Sequence, residues 1–270
     1  MKHLTGVWHR TLTVALMLVG LLGLSACGIT EQSWPLGSEF QRQLDLADQL
    51  SNDGRNAEAV AILQQASSQA PNETKRAEAL YRLGNAFLAS NVLYDAESAF
   101  GEAISRDPRR SDALTGLGIT LALAENVAEA EVYLTRAVDM GQARAFSPLG
   151  VVLDLQGRHV EAQALYLQGL TQLPYSRELS ANLALSYAFA GDFEQALAVS
   201  GPLSRLIVPD RYKRNHLLIL VMAGRAAEAY RVAPTLGLTE ADVESVLAVA
   251  RRLNTASGPD RLAEFRTLTL

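Results

Sequence analysis

The segment Leu80-Tyr-Arg-Leu-Gly84-Asn-Ala-Phe87, followed by Ala96, Phe100, Ala103 and Pro108, decides the fold of this chain of 270 residues. It places a Leu-Gly pair and an aromatic on a first helix. Ala, aromatic and Ala follow on a second helix, which a proline closes. The same parts return downstream as Gly118, Ala130 and Ala137, then as Gly150, Gly157, Ala162, Tyr166 and Pro174. Tyr187, Gly191 and Ala196 come next, then Gly224 and Ala229, while Gly54, Ala59, Ala66 and Pro71 form an upstream copy. Gly84 to Gly118 and Gly157 to Gly191 are both steps of 34, with 37 from Ala59 to Ala96 and 32 from Gly118 to Gly150. This self-similarity predicts six units with boundaries near 40, 77, 111, 143, 177 and 210.

Physical chemistry accounts for the residue types. A Gly or Ala on the first helix lets the second approach closely, and the second helix's Ala is the small knob in the gap. The larger Leu, Phe and Tyr residues fill the seam with the next unit. Gly54, Gly157, Gly191 and Gly224 fall where a first helix must stop in a left-handed terminus. Pro71, Pro108 and Pro174 close second helices.

This pattern resembles the tetratricopeptide repeat (TPR), a helix-turn-helix unit of about 34 residues. The resemblance implies an all-α fold, a right-handed superhelical solenoid of about six helix pairs over residues 40–236. Thr239-Glu-Ala-Asp242 reads as the start of a capped helix that reaches about Leu253. A C-terminal capping helix over 237–256 would cover the apolar face of the last unit. Gly258-Pro259 ends it, leaving 257–270 as a tail.

The N-terminus carries a second signal. Lys2 and Arg10 make a basic start, Thr11 to Gly23 is a short apolar run, and small residues lead into Cys27, the single cysteine of the chain. That is the order of a secretory signal, and the run is too short to cross a bilayer as a stable helix. Leu24-Ser-Ala-Cys27 resembles the lipobox of bacterial lipoproteins. The resemblance implies cleavage after residue 26 and acylation of Cys27, with more than one acyl chain for stable anchoring. Residues 28–39, with Trp34-Pro-Leu-Gly37 breaking any helix, then read as a linker to the first repeat.

Removing residues 1–26 takes Lys2 and Arg10, and no acid, from a formal charge of −5, leaving −7. An acidic chain without a basic stretch excludes nucleic acid as an expected partner. With Cys27 acylated, no thiol remains for a disulfide, a nucleophile or a cysteine metal site.

No catalytic constellation is apparent, and neither a cofactor nor a metal is expected. His159 and His216 lie on different repeats. His159 reads as a solvated turn residue, and His216, among Leu217, Leu218 and Ile219, as a partly buried structural one. Neither belongs to a zinc pattern or a nucleophile elbow. Gly116-Leu-Gly118 lies inside a helix with no preceding strand, so it does not read as a phosphate loop. Asn72-Glu-Thr74 is a formal glycosylation sequon without meaning in a bacterial lipoprotein. The reading is a binding protein, not an enzyme.

In TPR arrays the first helices line a concave face that holds a peptide or a partner's helix. The lining positions carried over by this resemblance are Tyr81, Asn85, Leu88, Ile119, Leu123, Val151, Leu155, Leu185, Phe189, Leu218 and Met222. Such an apolar face marks a binding surface, unless the chain's own linker or tail fills it. It lacks the Lys and Arg with which chaperone-binding TPRs clamp a terminal carboxylate; only Asn85 falls on one of those positions.

The last third resembles the TadD family of TPR lipoproteins from the tight-adherence (Flp pilus) assembly system. The residues that carry this are Asn182-Leu-Ala-Leu-Ser-Tyr-Ala-Phe-Ala-Gly191, Ala196-Leu197, Pro202-Leu203, Arg214-Asn-His-Leu217, Gly224 and the cap from Leu238-Thr239. His216 and Leu217 depart from that family's usual Leu and Ala. The resemblance implies an outer-membrane lipoprotein that faces the periplasm, binds protein partners and helps assemble the pilus or its secretin. Gly28, rather than the Asp that retains lipoproteins in the inner membrane, is the basis for that placement. The rival reading is a TPR lipoprotein adaptor for outer-membrane protein assembly or for periplasmic hydrolases.

Overall fold

A computed structural model describes residues 36–255. The signal segment 1–26, Cys27 and the tail 257–270 lie outside the described residues. Among the described residues every regular element is helical.

The helices come in pairs. In chain order the first pair is α1 (Leu36–Asn52) with α2 (Asn56–Ser68), and the second is α3 (Glu73–Ala89) with α4 (Leu93–Arg106). The third is α5 (Ser111–Leu123) with α6 (Val127–Asp139). A 3-10 turn, Ala143–Ala145, leads into α7 (Phe146–Leu155), which pairs with α8 (His159–Gln172). Next come α9 (Arg177–Phe189) with α10 (Phe193–Ser204), then α11 (Asp210–Met222) with α12 (Ala226–Val232). After a second 3-10 turn, Ala233–Leu236, the described chain ends in α13 (Glu240–Thr255). Helix α1 already includes Leu36 and Gly37, which the sequence reading assigned to the linker. A proline next to a helix start is favourable, because first-turn N–H groups have no intrahelical partner to lose.

Local chemistry sets the ends of these helices. The side chains of Asn72, Ser176 and Asp192 accept the amides of Lys75, Leu179 and Gln195, satisfying donors the helix cannot. Each tight turn inside a pair has one left-handed residue. Gly54, Gly157, Gly191 and Gly224 take that role at φ 75–83°. In the second and third pairs Asn91 (φ 57°) and Glu125 (φ 68°) hold the same place, without a glycine's freedom.

Small residues let the pairs close. Ala59, Ala96, Ala130, Ala162, Ala196 and Ala229, one per second helix, are all fully buried. The first-helix glycines have a more specific job than close approach alone. A Cβ on Gly84 would stand 2.7 Å from the ring of Phe100, and Gly118 and Gly150 meet Leu134 and Tyr166 in the same way. Each glycine is therefore a socket for a large second-helix side chain, and Phe100 and Tyr166 are completely buried in theirs.

From the second pair onward, consecutive first helices touch one another and each second helix packs on the first helix of its own pair and on the α-helix that follows it. First helices therefore form the inner layer of the solenoid. Helix α13 packs on α11, as the first helix of a further pair would. The apolar core from the first four pairs runs from Phe40 to Val152, and another from Ala184 to Leu253 joins the last two pairs to α13. Between them a smaller cluster around Phe146, Tyr166 and Leu183 shares the seam with buried polar side chains.

Candidate partner-binding groove

The inner layer opens into a cavity of about 810 Å³ on the N-terminal side of the array's middle, lined by residues of α3, α5, α7 and α9. Tyr81, Asn85, Leu88 and Ile119, all expected on the concave face, line it. The position just after the helix-packing glycine tracks how the groove changes along the chain. Asn85 is exposed and Ile119 half-buried, but Val151 and Leu185 are fully buried and Leu218 is 1% exposed.

Val151, Leu185 and Leu218 are therefore core residues, which corrects their placement on a binding surface. Each is packed into an apolar cluster, Val151 with Phe146 and Leu183, and Leu185 and Leu218 with the C-terminal core. Leu155 and Phe189 are half-buried against the Tyr166 cluster, and Met222 against the C-terminal one. Leu123 is half-buried at the end of α5. None of these four lines the cavity.

Polar groups at the mouth were not foreseen. Gln142 and Arg144 line the cavity from the 3-10 turn and the residue before it. Among the described residues the side chains of Asn85, Gln142 and Arg144 have neither hydrogen bond nor ion pair. The remaining polar lining is already engaged. Ser147 donates to Glu178 (2.5 Å) and accepts from Asn182 Nδ2 (3.1 Å). Asp112 pairs with Arg110, whose guanidinium lies 5.3 Å from the centre of the Tyr81 ring. On its other side Tyr81 meets Phe100, at 6.2 Å between ring centres. Tyr81 is thus both a wall of the groove and a cover of the core.

A second polar cluster is internal. Asp154, 4% exposed, accepts from Ser186 Oγ (2.7 Å), Tyr166 Oη (3.0 Å) and His159 Nδ1 (2.8 Å). Burial pushes the Asp154 carboxyl above its ordinary value, against the pull of those three donors. His159 is therefore no solvated turn residue: it is held by Asp154 and stacked on Phe189 at 6.4 Å. Ser186, 32 residues from Asp154, completes this network from the next unit, which the local sequence could not show. His216 is partly buried as expected, 2.8 Å from Ser200 Oγ, and burial lowers its pKa. Among the described residues no group of three or more His, Cys, Asp or Glu is placed to hold a metal ion.

No family model matches the chain. An uncharacterized protein of Sinorhizobium fredii, y4yS, is 36% identical over 101 residues; the match covers 37% of this chain and 56% of that one, so it spans little more than half of the relative. Among solved structures, PilW, a widely conserved type IV pilus biogenesis factor, aligns with a TM-score of 0.67 at 19% identity over 77% of this chain and 98% of its own. PilF of Pseudomonas aeruginosa aligns at 0.62 and 16%, over 79% and 98%. A TPR protein of Parabacteroides merdae aligns at 0.61 and 15%, over 82% and 87%. The chain folds as a TPR solenoid. At these identities the likeness is one of fold.

Proposed function

We propose that this chain is a non-catalytic scaffold, anchored through Cys27 to the outer membrane and facing the periplasm. Its groove would hold a segment of a partner protein during assembly of a surface pilus of the Flp (tight-adherence) type, with the pilus secretin as client. The observation that carries the binding role is the cavity between the first helices, with the unpartnered Asn85, Gln142 and Arg144 at its mouth. Unmet donors beside half-buried apolar residues such as Leu88 and Ile119 suit a peptide, which supplies both carbonyls and side chains. The pilus assignment is supported by the TadD-like C-terminal third and by the fold shared with PilF and PilW.

The test uses Asn85→Trp, which fills the groove, and Arg144→Glu, which reverses its free cation. Both residues are exposed, so each variant should melt within a few degrees of wild type. Each should lose co-purification of the secretin and reduce surface pili. Folded variants with normal pili would refute the groove's role; normal pili with disturbed outer-membrane protein assembly would move it to another machine. Cys27→Ser should abolish labelling by radioactive palmitate, and persistent labelling would refute the anchor.

A further inference from the structure

The link between α10 and α11 carries chemistry that the groove does not use. Residues 205–214 read Arg-Leu-Ile-Val-Pro-Asp-Arg-Tyr-Lys-Arg, four cations against one carboxylate in a chain of net charge −5. At its tip Ile207 is 99% exposed, the most exposed large apolar side chain among the described residues, and Leu206 is 51% exposed. Behind the tip is a cleft of about 530 Å³ into which Arg205 and Lys213 both face, with no carboxylate in its lining.

The four cations are not equivalent. Arg214 faces Asp242 at 3.6 Å, and Arg211 is folded over the Tyr212 ring. Lys213, with its side chain 19% exposed, pairs at 3.1 Å with the exposed Asp210 one helical turn away, a kind of contact that contributes little. Arg205 has no carboxylate partner among the described residues. An exposed Arg205 and a weakly paired Lys213 thus flank an apolar tip that protrudes into solvent. An apolar tip this exposed suits insertion into a deformable surface, and adjacent cations select an anionic one.

We infer that the 205–209 loop docks on an anionic phospholipid surface, with Leu206 and Ile207 entering the interface and Arg205 and Lys213 meeting headgroup phosphates. This is a contact separate from the groove, and it holds or fails independently of any groove partner. It would fix how the array lies against a membrane, which an anchor at Cys27 alone does not specify.

The test reads the loop directly in the full chain. Cys27→Ser leaves the protein without cysteine, and Ile207→Cys then carries an environment-sensitive nitrobenzoxadiazole label. A control label goes at Tyr94→Cys, a position 83% exposed on the second pair. On vesicles containing phosphatidylglycerol, the label at 207 should shift to the blue and be quenched by brominated lipid, while the label at 94 stays aqueous. Adding Arg205→Gln and Lys213→Gln should reduce the inserted fraction at limiting anionic lipid by about fivefold per charge removed. An aqueous label at 207, or insertion equal on pure phosphatidylcholine and indifferent to the two Gln changes, would overturn the proposal. So would a label that is aqueous on vesicles yet protected when purified secretin is added, which would assign the loop to a protein.

Discussion

Gly116 gives up its side chain to the ring of Phe100 from the preceding repeat: a Cβ there would stand 2.5 Å from Cε1 and Cζ. Gly84 lies against the same ring, its own ideal Cβ position 2.7 Å from Cδ1 and Cε1, and the ring is completely buried, so it has little room to retreat. Gly116→Ala should therefore lose about 1–2 kcal/mol net, the overpacking outweighing the better helix propensity. Gly101, inside α4 with nothing within 4 Å of its virtual Cβ, supplies the opposite case. Gly101→Ala should gain about 0.5–1 kcal/mol. Chemical denaturation of the two variants checks both signs.

Glu125 stands where four other repeats use a left-handed glycine. Holding a side chain at φ 68° costs on the order of 1 kcal/mol. Glu125→Gly should raise the melting temperature by a few degrees, and an unchanged or lower one would mean that contacts of the glutamate outweigh the strain.

The Asp154 network should respond to mutation and to pH. Ser186→Ala removes a donor to a buried carboxylate and should cost about 2 kcal/mol. Because burial raises the folded-state pKa of Asp154 above its ordinary 3.8, folding favours the protonated group. Its contribution is fully present below pH 3.8 and is lost as pH rises through the raised folded value. Wild type should therefore gain stability relative to Asp154→Asn as pH falls from neutral towards 4, read as the difference between paired thermal melts.

Asp242 should behave in the opposite sense. It accepts the amide and hydroxyl of Thr239 at 2.8 and 2.7 Å, closing the first turn of α13, and these bonds, with Arg214 adding a smaller attraction, lower its pKa. Its contribution is present above the ordinary value of 3.8 and is lost as pH falls through the lowered folded value. Asp242→Ala should lower the melting temperature at neutral pH and converge with wild type in strong acid.

Small-residue spacing made the repeats legible, because the Leu-Gly pair, the second-helix alanine and the turn glycine act within a single unit. Ala96, Ala162 and Gly157 could be read without knowing what surrounds the array. Of the expected concave positions, only Tyr81, Asn85, Leu88 and Ile119 line the cavity. Whether the equivalent residues Val151, Leu185 and Leu218 face solvent depends on how successive first helices meet, and the period of one repeat does not encode that. Arg144 was missed although its unit announces itself: the step from Gly118 to Gly150 is 32 instead of 34. That step contains the 3-10 turn that brings Gln142 and Arg144 to the cavity. The Asp154 cluster joins α7, α8 and α9 across two units, beyond the reach of any local pattern.

Phe100 also bears on how such a chain can change over time. Its ring is seated by a glycine in its own repeat and by another in the repeat that follows, so the two units are matched to each other at a single side chain. The residue that corresponds to Gly116 one unit later is Pro148, and one further it is Asn182. Duplicating the second repeat would set the ring of its first copy against Arg82 of the second, and exchanging it with the third would set the ring against Pro148. The units resemble beads on a string in sequence, yet their order is written into the joints, and recombination that shuffles whole repeats would have to carry both halves of a joint together.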